Sequence, residues 1–146
     1  MNIKVYSRST IERLAAPEVP HIIISVCSSA AEPAVIAEGP HCLGVLRLAF
    51  DDLRRPMPDY PQFREFSLED ARQVWAFVEQ HVGQAEELRV HCDKGRSRSP
   101  GIAAAISKVL TGHHGDLFRR CSPNMLVYNR MLKAHSETSS ETSSRK

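Results

Sequence analysis

The chain is short of almost everything that assigns a protein by composition. Its net charge is only +2 over 146 residues, so the total makes no electrostatic case for nucleic acid or a membrane surface. No apolar run approaches a bilayer span, the longest being His21–Cys27, and no secretory leader is evident, so a soluble chain without membrane insertion is expected. The four cysteines, Cys27, Cys42, Cys92 and Cys121, form neither a CxxC pair nor a zinc-ligand spacing. His113-His114 lacks the i, i+4 spacing of a helical metal pair and reads as a turn. Composition therefore calls for no metal and no cofactor.

What is there alternates strand and helix signals over the length of one domain. Ile3–Ser7 reads as a strand, and Ser9 or Thr10 is placed to cap a short helix through Ala16, before Pro17 and Pro20. His21–Cys27 (HIIISVC) is a β-branched run of the kind buried on both faces of a parallel sheet, and it reads as central. A stretch broken by Pro33, Gly39 and Pro40 leads to another strand, Cys42–Phe50, and Leu53–Phe66, with three prolines, reads as a surface loop. Ser67 and Asp70 make a capping-box-like pair, and Leu68, Ala71, Val74, Trp75, Val78 and Val82 recur on one helical face as core. Glu86–Val90 is the next strand, Ile102–Leu110 an alanine-rich helix, and Ser122-Pro123 an N-cap and first-turn pair for a last helix over Asn124–Ala134. This order predicts an α/β fold, one domain over residues 1–135 with a mostly parallel central sheet flanked by helices. Residues 136–146, SETSSETSSRK, hold nothing to bury and read as a disordered tail.

Val90–Pro100, VHCDKGRSRSP, fits neither core nor ordinary loop. It lies between a strand and a helix that begins near Ser99 with Pro100 in its first turn, so free backbone N–H groups and the positive helix end converge there. Such a nest binds a phosphate-like anion. Cys92 faces it at the strand end, the setting in which a thiol becomes a nucleophilic thiolate. Arg98 returns over the anion with a planar two-pronged donor, and Gly95 at the apex allows a backbone that a Cβ forbids.

His91, Cys92, five residues, Arg98 and Ser99 resemble the signature of the cysteine-dependent protein tyrosine phosphatases, with Gly95 where that superfamily has its glycine. Rhodanese-like sulfurtransferases also use a cysteine-centred anion loop but usually lack that glycine and the Arg-Ser ending. The lateness of the loop resembles the compact dual-specificity branch, and nothing N-terminal offers the segment with which classical tyrosine-specific enzymes grip a phosphotyrosine ring. The resemblance implies a dual-specificity-phosphatase-like fold and a two-step displacement in a reducing, cytoplasmic setting. In it Cys92 is the nucleophile, Arg98 and the backbone N–H groups of Asp93, Lys94, Gly95, Arg96, Ser97 and Arg98 bind the phosphoryl oxygens, Ser99 hydrogen-bonds the departing sulfur, and His91 orients the loop. It also implies an aspartate acid on a loop after an earlier strand: Asp52 first, Asp51 second, Asp59 a distant third. The expected partners are phosphorylated proteins or other phosphomonoesters, with phosphate, sulfate or vanadate as loop ligands.

Lys94 and Arg96, with Arg54 and Arg55 as a positive rim, keep phosphoinositides or other polyanions as an alternative substrate class, against plain solvated charge. A non-catalytic phosphate-binding module is the reading from another class, disfavoured because both Cys92 and Arg98 are present. Cys27 reads first as a small buried hydrophobe. It also closes its strand at the sheet edge from which the Cys92 turn emerges, so the second reading is that the two sulfurs lie close enough for Cys27 to trap an oxidised Cys92 as a disulfide.

Overall fold

Every residue from His21 to Cys27 is buried, which requires a strand with a neighbour on each side and cover on both faces. The computed structural model supplies both; it describes residues 1–144, with side chains to residue 138. Four strands, β1 (Asn2–Ser7), β2 (His21–Cys27), β3 (Cys42–Ala49) and β4 (Glu87–Cys92), form one all-parallel sheet in the order β1-β4-β2-β3. The helices are α1 (Arg8–Ile11), α2 (Leu68–His81), α3 (Arg98–Thr111), α4 (Leu117–Arg120) and α5 (Met125–Ser144). This is the single-domain α/β architecture the sequence predicts. No helix among the described residues is long and apolar enough to cross a membrane.

The alternation of the strands divides the sheet into two unlike faces. Ile22, Ile24, Val26, Leu88 and Val90 join the main core beneath α2, α3 and α5, and Trp75 Nε1 donates to Met131 O at 2.8 Å to lock α2 on α5. The opposite face carries Lys4, Glu87, Arg89, His91 and Ser25, under α1 and the loops that follow β1 and β2. There Lys4 Nζ lies 2.9 Å from Glu87 Oε1, and Arg89 Nε donates to Glu87 Oε2 at 2.8 Å. Burial pushes the Glu87 carboxyl up, but these two cations outweigh it and hold it below the ordinary 4.5.

Ser67 and Asp70 form the full capping box, each side chain accepting the other's backbone N–H at 3.0 Å. Val82, expected in the core, instead caps the end of α2 and is exposed. α1 is capped by Ser7 rather than Ser9 or Thr10, and it ends at Ile11 rather than Ala16. For α5 the capping oxygen comes from Asn124, which accepts Val127 N–H at 3.2 Å, so Ser122-Pro123 precede the cap. α5 also runs past Ala134 into the stretch expected to be disordered: Thr138 Oγ1 donates back to Ala134 O at 3.0 Å and Glu137 meets Arg72 at 3.6 Å. Of the tail expected over 136–146, Arg145 and Lys146 lie outside the described residues.

Candidate active site

β4 delivers Cys92 at its last position, the chain turns through Asp93–Ser97, and α3 starts at Arg98. The turn is tight enough to need glycine at its apex: Gly95 has φ +69, and a Cβ there would lie 2.7 Å from the Tyr6 carbonyl carbon and 2.8 Å from Ser7 N. Two groups converge on the Cys92 sulfur. Gly95 N–H donates to Cys92 Sγ at 3.3 Å, and Ser99 Oγ lies 3.1 Å from the same sulfur. Cys92 itself is almost wholly buried, at the floor of a cavity of about 270 Å³ lined by Asp52, Cys92, Asp93, Lys94, Arg96, Ser97 and Arg98.

The Arg98 guanidinium is buried and anchored from behind, with Nη1 donating to Ser28 Oγ at 2.9 Å and to Phe50 O at 2.8 Å. Its Nη2 donates to Asp93 Oδ2 at 3.1 Å. An entering oxyanion therefore competes with Asp93 for one prong of the fork. Nothing in the sequence marked Ser28 or the Phe50 carbonyl as supports, because both reach the loop only through the β2–β3 side of the sheet.

His91 is fully buried behind the loop. Burial, reinforced by the charges of Arg8 and Arg47, holds its imidazole below the ordinary 6.5, against the opposing pull of Cys92 O and Asp93. In the neutral ring, Nδ1 must carry the hydrogen, since it faces the Cys92 carbonyl at 3.2 Å, so Nε2 accepts from Ser25 Oγ at 2.6 Å. Arg47 Nη1 in turn donates to Ser25 Oγ at 3.5 Å. Arg47, Ser25 and His91 thus form a chain of oriented donors ending on the Cys92 carbonyl.

Of the three aspartates, only Asp52 lines the cavity. Its Oδ1 accepts from Ser97 Oγ and from Asn124 Nδ2, both at 2.7 Å, and Oδ2 has no partner among the described residues. Arg54 Nη2 donates to Ser97 Oγ at 3.1 Å and to Ser122 O at 3.1 Å, bracing the same corner. Asp51 closes the loop instead: its Oδ2 accepts Arg64 N–H at 2.8 Å and its own N–H donates to Arg64 O at 2.7 Å. Asp59 is exposed in the loop, away from this cavity. Asn124 escaped the sequence reading, its only signal being a cap-forming residue type after Ser-Pro.

The alternative reading, a pairing of Cys27 with Cys92, fails on strand register. Ser25 of β2 stands opposite His91 of β4, so Cys27 shares the Ser25–His91 face while Cys92 faces α3 on the other. The sheet separates the two sulfurs. Cys27 is buried with Arg8 Nη1 3.8 Å away, which fits the small buried hydrophobe.

Solved structures match the fold of the chain. Human DUSP28 aligns over 95% of this chain and 94% of its own at 17% identity and TM-score 0.56. PTPMT1 in complex with PI(5)P aligns over 97% and 94% at 17% identity and TM-score 0.57. The fold is that of the dual-specificity phosphatases. A third phosphatase of this fold, Tk-PTP in its active form, aligns over 91% of this chain and 92% of its own at 16% identity and TM-score 0.57. No family model and no curated protein sequence matches the chain. Among the described residues no group of three or more His, Cys, Asp or Glu side chains is placed to hold a metal ion.

Proposed function

We propose that this domain, residues 1–135, is a phosphomonoester hydrolase that works through a phosphocysteine, on phosphotyrosine or phosphoserine/phosphothreonine proteins. One observation carries the reading: Cys92 Sγ sits 3.3 Å from Gly95 N and 3.1 Å from Ser99 Oγ, in a cavity that Arg98 and Asp52 also line. The thiolate attacks phosphorus, forming the S–P bond as the P–O bond to the leaving group breaks. Asp52 Oδ2 gives that oxygen its proton, and Arg98 with the loop N–H groups holds the equatorial oxygens. Water then attacks the phosphocysteine, Asp52 takes its proton, and the sulfur leaves as a thiolate toward which Ser99 donates. Nucleophile and acid are both side chains, so the scheme needs neither metal nor cofactor, and a reducing cytoplasm suits the thiolate.

A second reading, a phosphoinositide or other polyanion as substrate, is favoured by Lys94 and Arg96 in the cavity wall and by the PI(5)P bound to PTPMT1. The test is hydrolysis of an aryl phosphate in EDTA, then of phosphopeptide and phosphoinositide panels, with Cys92→Ser as control. Expected are EDTA-resistant turnover in the wild type and phosphate, sulfate or vanadate binding without turnover in the variant. Turnover by Cys92→Ser above a few per cent of wild type would remove Cys92 as nucleophile.

A further inference from the structure

β1 is an edge strand: its inner side pairs with β4, and among the described residues no strand pairs with its outer side. The ladder fixes which backbone groups are left over. Asn2 N–H donates to Glu86 O at 2.8 Å, and a parallel ladder engages every second residue of a strand, so Lys4 and Tyr6 also face β4. Ile3 and Val5 therefore turn their N–H and C=O groups outward, unpaired and at the spacing of a strand.

This edge opens into a groove. Residues 3–6 form one wall of a cavity of about 310 Å³ whose other wall is the stretch from His114 to Arg120. In that second wall His114 Nδ1 is buried with no hydrogen-bond partner among the described residues, and its ring is held by Phe118 at 4.3 Å between centroids. Leu117 adds an apolar side chain. The charged groups on the two walls are Lys4, Arg120 and Asp116. Lys4 is 42% exposed while its counter-ion Glu87 is buried, and Arg120 meets Asp116 at 3.1 Å, so the accessible charge of the groove is positive.

We propose that the groove docks an extended, acidic segment of the phosphoprotein substrate, which adds to the sheet as a further strand beside β1. The proposal rests on the phosphoprotein reading of the Cys92 site. Such a segment supplies the partners that Ile3 and Val5 lack, while its alternate side chains meet the two walls and its carboxylates meet Lys4 and Arg120. A second copy of this chain fits less well, because an edge of 6 residues falls far short of the about 1,200–2,000 Å² that a stable subunit interface buries. Register then ties the occupant to the catalytic site. Ser7 stands level with Cys92, and a strand added to β1 lies two strand spacings, about 10 Å, from β4. About three or four extended residues cross that gap, so the docked segment and the phosphorylated residue are near neighbours in the substrate's sequence.

The test takes the better hydrolysed of a phosphotyrosine and a phosphothreonine core peptide. The same core is then extended, on its N-terminal or its C-terminal side, by about four glycines and about six alternating valine and glutamate residues. The two extensions cover parallel and antiparallel addition. One of them is expected to raise kcat/KM roughly tenfold, through KM, by the new backbone hydrogen bonds. Val5→Pro should abolish that gain, since proline removes an outward N–H and leaves the β1–β4 ladder whole, and unchanged turnover of an aryl phosphate verifies its folding. Arg120→Glu, at a side chain 67% exposed, should weaken the gain several-fold and decides the matter if Val5→Pro does not fold. Amide hydrogen exchange on the Cys92→Ser chain reads docking without turnover. Ile3 and Val5 should exchange fast alone or with the core peptide, and slowly with the extended one. No gain from either extension, or a gain that survives in both variants, overturns the docking edge and leaves the Cys92 chemistry standing. Protection of Ile3 and Val5 with no wild-type turnover of either core overturns the substrate as occupant, together with the phosphatase reading.

Discussion

Asn124 Nδ2 donates to Asp52 Oδ1 at 2.7 Å, tying the start of the last helix to the proposed general acid. The same side chain caps that helix through Oδ1 and, by a second Nδ2 contact, holds Leu53 O at 3.0 Å. Asn124→Ala should lower the thermal midpoint by the loss of a buried cap, about 1–2 kcal/mol, and should lower kcat more for alkyl than for activated aryl phosphates. Equal losses on both substrates would mean that Asn124 supports the fold and not the acid.

Asp52→Asn is expected to cost ~10²–10⁴-fold on poor leaving groups and far less on nitrophenyl-type esters, the signature of a lost proton donor. Asp51→Asn should instead loosen the loop pinned at Arg64 and weaken both substrates alike. A leaving-group-selective loss in Asp51→Asn alone would move the acid by one residue.

The Arg98–Asp93 ion pair sets up a competition that can be measured. Asp93→Asn removes the counter-ion from one prong of the guanidinium, so vanadate or phosphate should bind several-fold more tightly, by an amount in the range ~1–2 kcal/mol for a charge-assisted contact. Weaker oxyanion binding in Asp93→Asn would show that the carboxylate positions Arg98 and does not compete for it.

Gly95→Ala forces a Cβ to within 2.7 Å of the Tyr6 backbone at φ +69. The strain should cost roughly 1–3 kcal/mol or more, seen as a lower urea midpoint. Catalysis should fall further, because the Gly95 N–H that meets Cys92 is displaced with it. Wild-type activity in this variant would place the turn elsewhere.

His91 supplies a pH test. Because burial lowers its folded pKa below 6.5, the unfolded chain takes up the proton first as pH falls, so this stability is full above about 6.5 and declines below it. The wild-type denaturation midpoint should therefore drop between pH about 7.5 and about 5.5, and His91→Gln should lack that part of the drop. Identical pH profiles would mean that His91 keeps its proton in the folded state.

The fold and the loop were legible because both are local signals: HIIISVC announces a doubly covered strand, and Cys92 to Ser99 carries its chemistry in consecutive residues. Asp52 was legible as one of three aspartates, but its advantage over Asp51 comes from Ser97 and Asn124, distant in sequence and joined to it only by the fold. Cys27 misled for a related reason. Strand ends along one sheet edge are easily predicted from topology, whereas the face on which a side chain emerges depends on register, and one residue reverses it. The polar face under α1 was equally hidden, since Lys4 meets Glu87 only once β1 lies beside β4.

That pairing also bears on the order in which the molecule assembles. β1 and β4 match residue for residue from Asn2↔Glu87 to Ser7↔Cys92, yet β2, β3 and α2 lie between them in the chain. β1 is synthesised long before its partner and waits as an unpaired edge strand until β4 arrives. Closure of so long a loop is the slow, entropically costly kind of folding event. The Tyr6–Ser7 backbone that presses Gly95 into place comes with it. During refolding, oxyanion binding should thus be gained in the final cooperative step, and no earlier intermediate should hold a phosphate.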